Sequence, residues 1–276
     1  MRLLVTGGAG FIGSNFVKHM VREQPDYKIT VLDALTYCGN LQNFSPEVWE
    51  NSNFSFFHGD IRDAEVVEDL MKSTDQVVHL AAETHIDRSI QDPTPFISTD
   101  VEGTKVLLEA LRKHRVERFI HISTSEVYGT AEQIPMTEEH PLKPQSPYAA
   151  AKAGGDRLAY SYWVTYRLPV VILRPFNVYG PNQFPEKLIP LFVSNAIDDL
   201  TLPVYGTGRN TRDWTHVGDT CRALQTCLQA DIQSLRGEVI NLGTGRDFDV
   251  LWIARRVLEK LERPESLVKM VEDRPG

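Results

Sequence analysis

Tyr148 and Lys152 stand four residues apart in the chain, and on a helix that spacing puts both side chains on one face. Ser146-Pro147 immediately upstream is a helix-start signal. Earlier, Ser123-Thr124 closes a short apolar run that reads as a strand, so a hydroxyl would meet the tyrosine from a strand end. A phenol with a reference pKa of ~10 is a poor base at neutral pH. A neighbouring ammonium and the positive charge of a nicotinamide would both favour the phenolate. Thr124, Tyr148 and Lys152 together could therefore take a proton from an alcohol while its hydride moves to NAD. Tyr-x-x-x-Lys by itself arises often by chance, and its weight comes from what precedes it.

What precedes it is Thr6-Gly7-Gly8-Ala9-Gly10-Phe11-Ile12-Gly13, which follows a strand pattern and opens a helix pattern. Only glycine lets the backbone turn this tightly and approach a pyrophosphate, whose charge then meets a helix N-terminus. Asp33, twenty residues beyond Gly13, ends the next strand. A carboxylate there accepts hydrogen bonds from ribose hydroxyls and repels a 2′-phosphate, which favours NAD over NADP. Asp60 and Ile61 follow the third strand, where an adenine could be gripped, although an Asp-rich turn explains them nearly as well.

These residues need a scaffold, and the alternation of elements describes one. Strands are expected at 3–6, 29–33, 54–58, 76–81, 118–123 and 170–174. Helices are expected at 14–22, 64–73, 96–114 and 148–166. Strand-helix alternation of this kind implies an α/β fold, a Rossmann-type doubly wound parallel sheet with helices on both faces. From Phe176 the texture turns Pro- and Gly-rich, which suggests a smaller C-terminal substrate-binding lobe. A strand at 239–242 would return the chain to the main sheet. The division expected is 1–175 for an NAD-binding domain completed by part of 209–245, and 176–276 mainly for the lobe, interleaved with it. An apolar run at 267–271 leads into the charged turn 273–276, consistent with a natural tail beyond.

Composition narrows the classes. Of 276 residues 42% are hydrophobic and 24% charged, ordinary globular values that exclude a disordered or fibrous chain. A net charge of −8 argues against general nucleic-acid binding. Cys38, Cys221 and Cys227 are odd in number and scattered, so no disulfide framework is expected and a reducing, cytoplasmic setting is. No run approaches the ~20 apolar residues of a membrane span, and Met1 enters a strand directly, leaving no room for a signal peptide. His58, His79, His121 and His216 show no ligand spacing, so no metal is expected. Trp49, Trp163, Trp214 and Trp252 read as core or interface aromatics.

With these motifs assembled, the chain resembles the extended short-chain dehydrogenase/reductases that act on nucleotide sugars. Within them it is most similar to the dTDP-glucose 4,6-dehydratases, over essentially its whole length. The resemblance is carried by residues 6–13, 79–89, 148–152, 177–181, 185–190, 205–210 and 273–276. It implies that Gly7, Gly10, Phe11, Ile12, Gly13, Ala81, Ala82, Thr99 and Val178 contact a retained NAD, with Asp33, Asp60, Ile61, Tyr148 and Lys152. It also implies that Thr84, Thr124, Asn177, Lys187, Leu188 and Arg212 line a sugar-nucleotide site. Pro203 and Tyr205 would lie along the nucleobase, and Arg274 would pair with the diphosphate. Family dimers use the two long helices as a four-helix bundle, so a homodimer is expected.

In such a dehydratase, C4 oxidation makes the C5 proton acidic, Glu126 matches the residue that removes it, water leaves across C5–C6, and hydride returns to C6. The family places an aspartic acid just before that glutamate to protonate the departing hydroxyl. Here that place holds Ser125, a far weaker acid, and losing a general acid costs ~10²- to 10⁴-fold. Thr-Ser-Glu resembles the UDP-glucuronate decarboxylases instead, and a 4-epimerase needs only Thr124, Tyr148, Lys152 and NAD. An inactive nucleotide-sugar-sensing protein is a further alternative. The dehydratase is the first expectation.

Overall fold

A computed structural model describes residues 1–273, so Arg274 lies outside the described residues. The strands are β1 (Arg2–Thr6), β2 (Lys28–Asp33), β3 (Phe54–His58), β4 (Gln76–His79), β5 (Arg118–Ile122), β6 (Val170–Pro175), β7 (Asn177–Tyr179), β8 (Leu202–Tyr205), β9 (Thr211–His216), β10 (Val239–Leu242), β11 (Asp247–Asp249) and β12 (Val268–Val271). The helices are α1 (Phe11–Glu23), α2 (Pro46–Trp49), α3 (Ala64–Met71), α4 (Ile86–Gln91), α5 (Thr94–Phe96), α6 (Thr104–Lys113), α7 (Pro147–Tyr166), α8 (Leu188–Ile197), α9 (Val217–Gln229), α10 (Ile232–Leu235) and α11 (Val250–Lys260).

Seven strands form one sheet in the order β10-β6-β5-β4-β1-β2-β3. Every pairing in it is parallel. Side chains alternate across it, as the pleat requires. Leu3, Val5, Val78, Ile120 and Leu173 face one side, packed with Phe16 and Met20 of α1 and Leu224 and Leu228 of α9. Leu4, Val77, Phe119 and Ile172 face the other, packed with Met71 of α3, Leu107 and Leu111 of α6, and Ala159 and Tyr162 of α7. Burial on both faces explains why these strands read as continuous apolar runs. Each such Leu or Phe contributes about 1.5–3 kcal/mol.

The strand order reverses at β1, with β2 on one side and β4 on the other. Crevices of doubly wound sheets open outside the carboxyl ends of the strands at that point. The second half of the chain covers it. A three-stranded sheet, β11-β9-β7, and a two-stranded one, β12-β8, pack with α8 and α11 around Phe192, Leu202, Val204, Ile253 and Leu258.

Three expectations are corrected. The helix expected over 96–114 is a composite, in which α5 runs into a π-helical stretch, Ile97–Gly103, before α6 begins. A Cβ placed on Gly155 would lie 2.5 Å from the Asp100 carbonyl oxygen, so α7 packs directly on the widened turn. Apolar spacing does not register the extra residue of a π turn. The helix expected at 14–22 starts at Phe11, because its first turn runs through the glycine motif. The Pro- and Gly-rich region holds short strands and three long helices, and of its strands only β10 and the 267–271 run were expected.

Behind the strand ends lies a buried brace. The Arg174 guanidinium, on β6, donates to both Asp156 carboxylate oxygens on α7, at 2.8 and 2.9 Å. It also donates to the Tyr128 hydroxyl at 2.8 Å, which in turn donates to Asn241 on β10 at 2.7 Å. Burial would raise the Asp156 carboxyl, but the Arg174 bonds and charge outweigh it and hold the group well below the carboxylate range. Removing one partner of a buried pair strands the other charge. Arg174→Met is therefore expected to lower the unfolding free energy by about 3–5 kcal/mol, measured by chemical denaturation. A loss below about 1 kcal/mol would mean that the pair does not brace the fold.

Candidate active site

The strand ends and the second lobe enclose one elongated cavity of about 1140 Å³. Its walls include every expected cofactor, substrate and catalytic residue among the described ones, from Gly7 at one end to Tyr205 and Arg212 at the other.

At the sheet end, Gly7 has φ +70° and its Cβ would fall 2.5 Å from the Ala81 nitrogen. A Cβ on Gly13 would fall 2.2 Å from the Gly7 carbonyl oxygen. No larger residue fits this cradle, and it delivers the α1 N-terminus to the cavity, as an anion site requires. Asp33 ends β2 with Oδ2 accepting from the Ala9 N–H and Oδ1 from the Leu35 N–H, each at 2.8 Å. Burial pushes its carboxyl up and those two bonds pull it back. Asp60 is paired with Arg62 at 2.6 Å, and Arg62 reaches Ser98 at 2.8 Å. Two loops fold over the cradle. Asn43 donates to the Ala9 carbonyl at 2.8 Å, and Asn182 bridges Ser14 and the Asn43 carbonyl at 3.1 Å each. The residues present fit a dinucleotide.

At the centre, Ser146 caps α7 by accepting the Ala149 N–H, with Pro147 in the first turn. This sets Tyr148 and Lys152 on the inner face. The Lys152 ammonium donates to the Ile122 carbonyl at 2.7 Å, where β5 ends. From there the chain turns through Thr124, which caps a 3₁₀ turn, Ser125–Tyr128, by accepting the Glu126 N–H at 3.2 Å. Thr124 is also hydrogen-bonded to Tyr148. Ser125 is buried and Glu126 half-buried on the same wall.

An ammonium and a nicotinamide charge together were expected to favour the Tyr148 phenolate. Among the protein groups, burial with the charges of Asp100 and Glu126 pushes the phenol above its ordinary value, and the Thr124 bond partly offsets this. Burial also lowers the Lys152 ammonium against the pull of Asp100 and Asp156.

At the lobe end, Lys187 donates to the Thr84 carbonyl at 2.9 Å. Asn177 and Val178 lie on β7, and Pro203 and Tyr205 on β8. Leu188 opens α8, and exposed Arg212 sits on β9, donating to the Thr211 carbonyl at 2.9 Å. Several wall residues escaped the sequence reading. Tyr37 contacts Thr84 at 3.3 Å with Arg88 4.1 Å over its ring. Glu186 faces His85 at 3.4 Å and Arg88 at 3.7 Å. His85 and Glu186 sit inside motifs noted for their neighbours, which was the available signal. Tyr37 lies in a loop without periodicity and gave none. Trp214, read as a core or interface aromatic, lines the cavity, and Trp49 and Trp252 are half-exposed against Phe54 and Phe248. Among the described residues, no cluster of three or more His, Cys, Asp or Glu has a metal-site arrangement. None of their helices is long and apolar enough to cross a membrane.

Comparison with known proteins agrees with this geometry. The family described as GDP-mannose 4,6 dehydratase matches residues 4–273. A dTDP-glucose 4,6-dehydratase of Actinoplanes sp. is 48% identical, with the alignment covering 100% of this chain and 87% of that protein. A solved dTDP-glucose 4,6-dehydratase of Streptomyces venezuelae, with NAD and a second ligand bound, superposes with a TM-score of 0.94 at 46% identity, covering 99% of this chain and 85% of that one. A UDP-glucuronic acid 4-epimerase of Bacillus cereus shares the fold at a TM-score of 0.92 and 31% identity, covering 100% and 88%.

The cradle generates a prediction. In Gly13→Ala the new methyl collides with backbone, which must shift, so dinucleotide affinity should fall at least about tenfold, equivalent to 1.4 kcal/mol. Calorimetric titration checks it, and unchanged affinity would place the dinucleotide elsewhere.

Proposed function

The chain belongs to the GDP-mannose 4,6 dehydratase family, and from that premise we propose that it is an NAD-dependent nucleotide-sugar 4,6-dehydratase with dTDP-glucose as its first candidate substrate. The observation that carries the reading is the position of Glu126. It shares one cavity wall with Thr124 and Tyr148, so a base for C5 lies beside the group that handles the C4 hydroxyl. An epimerase needs no such base. Ser125 taken alone favours a decarboxylase, but the likeness of the whole chain to dTDP-glucose 4,6-dehydratases, at 48% identity, supports the dehydratase.

When bound, NAD supplies the hydride acceptor for C4 and the hydride donor for C6. Glycines 7, 10 and 13 with Phe11 and Ile12 would hold its diphosphate, Asp33 its ribose, and Asp60, Ile61, Ala81, Ala82, Thr99 and Val178 its remaining length. Tyr148 takes the C4 hydroxyl proton, and Thr124 orients that oxygen. Lys152 keeps Tyr148 in place through the β5 end and adds positive charge. Glu126 then removes the C5 proton, the C5–H electron pair forms the C5–C6 double bond, and the C6–O bond breaks. With serine at position 125, Glu126 returns that proton to the departing hydroxyl, so that water leaves and the carboxylate is restored. Ser125 holds that hydroxyl by hydrogen bonding. As hydride returns to C6, C5 takes up a solvent-derived proton and Tyr148 releases the one it took. Thr84, Asn177, Lys187, Leu188 and Arg212 would line the sugar and phosphates, with Pro203 and Tyr205 along the base.

In this reading residues 1–175, completed by part of 209–245, serve the cofactor and 176–276 mainly serve the sugar nucleotide. A homodimer would bury the exposed Ile97, Tyr160, Val164 and Tyr166 side chains in a four-helix bundle, giving twice the chain mass by light scattering. Three unpaired cysteines fit a reducing cytoplasm.

The test is incubation with dTDP-glucose, UDP-glucose or UDP-glucuronate, followed by mass analysis of the nucleotide. Loss of one water from a glucose compound is expected, and loss of carbon dioxide from the glucuronate would overturn the reading. Glu126→Gln should slow dehydration by ~10²- to 10⁴-fold while reduced nicotinamide still accumulates. Ser125→Ala should cost less than about tenfold, because the hydroxyl is not the acid. An equal loss in both variants would assign the acid to Ser125.

A further inference from the structure

His79 is a buried titratable group that the chemistry above leaves unused. It ends β4, is 2% exposed, and stands beside Thr6, its parallel partner on β1. Its Nδ1 lies 2.8 Å from the Thr6 hydroxyl oxygen, and its Nε2 lies 3.0 Å from the hydroxyl oxygen of Thr104 on α6. Both threonines are fully buried. Counting donors assigns the hydrogens. The Thr104 hydroxyl has one hydrogen and gives it to the Asp100 carbonyl at 2.7 Å. Toward His79 it can only accept, so Nε2 carries the ring hydrogen. Burial, and then the neighbouring His121 and Lys152, push the imidazole well below the usual histidine value, which keeps it neutral.

Nδ1 is therefore bare and accepts the Thr6 hydroxyl hydrogen. That leaves the Thr6 oxygen to accept the Ala81 N–H at 3.3 Å. Four hydrogen bonds run head to tail, from the Ala81 N–H through Thr6, His79 and Thr104 to the Asp100 carbonyl. Both ends lie against the site. Ala81 is in the cavity wall, and a Cβ on Gly7 would fall 2.5 Å from its nitrogen, so the Ala81 backbone backs the glycine cradle. At the other end, a Cβ on Gly155 would fall 2.5 Å from the Asp100 carbonyl oxygen and 3.4 Å from the Thr104 hydroxyl. Gly155 stands on α7, three residues beyond Lys152. An apolar residue at 79 would leave the buried Thr6 hydroxyl without an acceptor, which is costly.

We propose that His79 is a positioning residue whose imidazole, in the Nε2–H form, fixes the dinucleotide wall at Ala81 relative to the turn against which α7 carries Tyr148 and Lys152. Its two nitrogens divide the work. Nδ1, through Thr6, holds the cofactor wall. Nε2, through Thr104 and the Asp100 carbonyl, holds the seat of α7. No proton is transferred along the line, and His79 itself is not in the cavity wall. The α7 half rests on the reading of Tyr148 and Lys152 as the groups that act at C4, whereas the cradle half requires only that a dinucleotide binds.

Two substitutions separate the halves, because asparagine puts a polar atom where Nδ1 stands and glutamine puts one where Nε2 stands. In His79→Asn the amide oxygen still accepts from Thr6, while the link to Thr104 is lost. Affinity for NAD, by calorimetric titration, should stay within about twofold, and kcat with dTDP-glucose should fall at least about tenfold. In His79→Gln the amide N–H still donates to Thr104, while the link to Thr6 is lost. NAD affinity should then fall at least about tenfold, with kcat at saturating NAD kept within about threefold. The same losses in both variants, or the opposite pattern, would overturn the proposal and leave His79 a core residue. Thr6→Val and Thr104→Val cut the same two links from their far ends, and should reproduce the two patterns if the histidine variants do not fold. If the unaltered protein does not turn over dTDP-glucose, the dehydratase reading fails and NAD affinity alone decides. Weaker binding in His79→Gln than in His79→Asn would then support the role at the cradle, and equal binding would overturn it.

Discussion

A buried ammonium must find a fixed partner or lose its charge, and the partner of Lys152 is the carbonyl of Ile122 at 2.7 Å. That bond ties the middle of α7 to the last residue of β5, and the arrangement of the site follows from it. One turn earlier on α7 stands Tyr148, and two residues past Ile122 stands Thr124, so a helix face and a strand end meet at fixed distance. Arg174 reinforces the junction from behind by joining Asp156, one turn after Lys152, to Tyr128 at the end of the Thr124 turn. The reacting groups therefore stand on rigid elements rather than on free loops.

The second constraint is the reversal of strand order at β1. It opens one crevice outside the carboxyl ends of β1 and β4, and the glycine cradle fills its near end with backbone N–H groups. The lobe built on α8, α11 and the short sheets closes the far end. A dinucleotide and a sugar nucleotide could then lie end to end with their reactive carbons over Tyr148. The bonds among Asn43, Asn182 and Ser14 fold chain across the dinucleotide end, which suits a cofactor kept through every cycle.

Much of this was legible in the sequence, for physical reasons that differ by region. Strands buried on both faces read as unbroken apolar runs, and the edge strands at 54–58 and 239–242 were delimited to the residue. The glycines were legible because no other residue fits their contacts. The π-helical stretch was not, since apolar spacing tolerates one extra residue. The strands of the lobe are three to six residues long, too short for periodicity to mark. Glu186 and His85 lay inside recognised motifs, but their facing each other at 3.4 Å is a tertiary fact.

The central claim is that one cavity removes hydride from C4, expels water across C5–C6 and restores hydride to C6 of the same molecule. The most direct test uses dTDP-glucose carrying deuterium at C4, with the product examined by nuclear magnetic resonance. The account predicts deuterium at C6 of a 4-keto-6-deoxy sugar. Deuterium retained at C4, or a C6 position carrying only solvent-derived hydrogen, would contradict it.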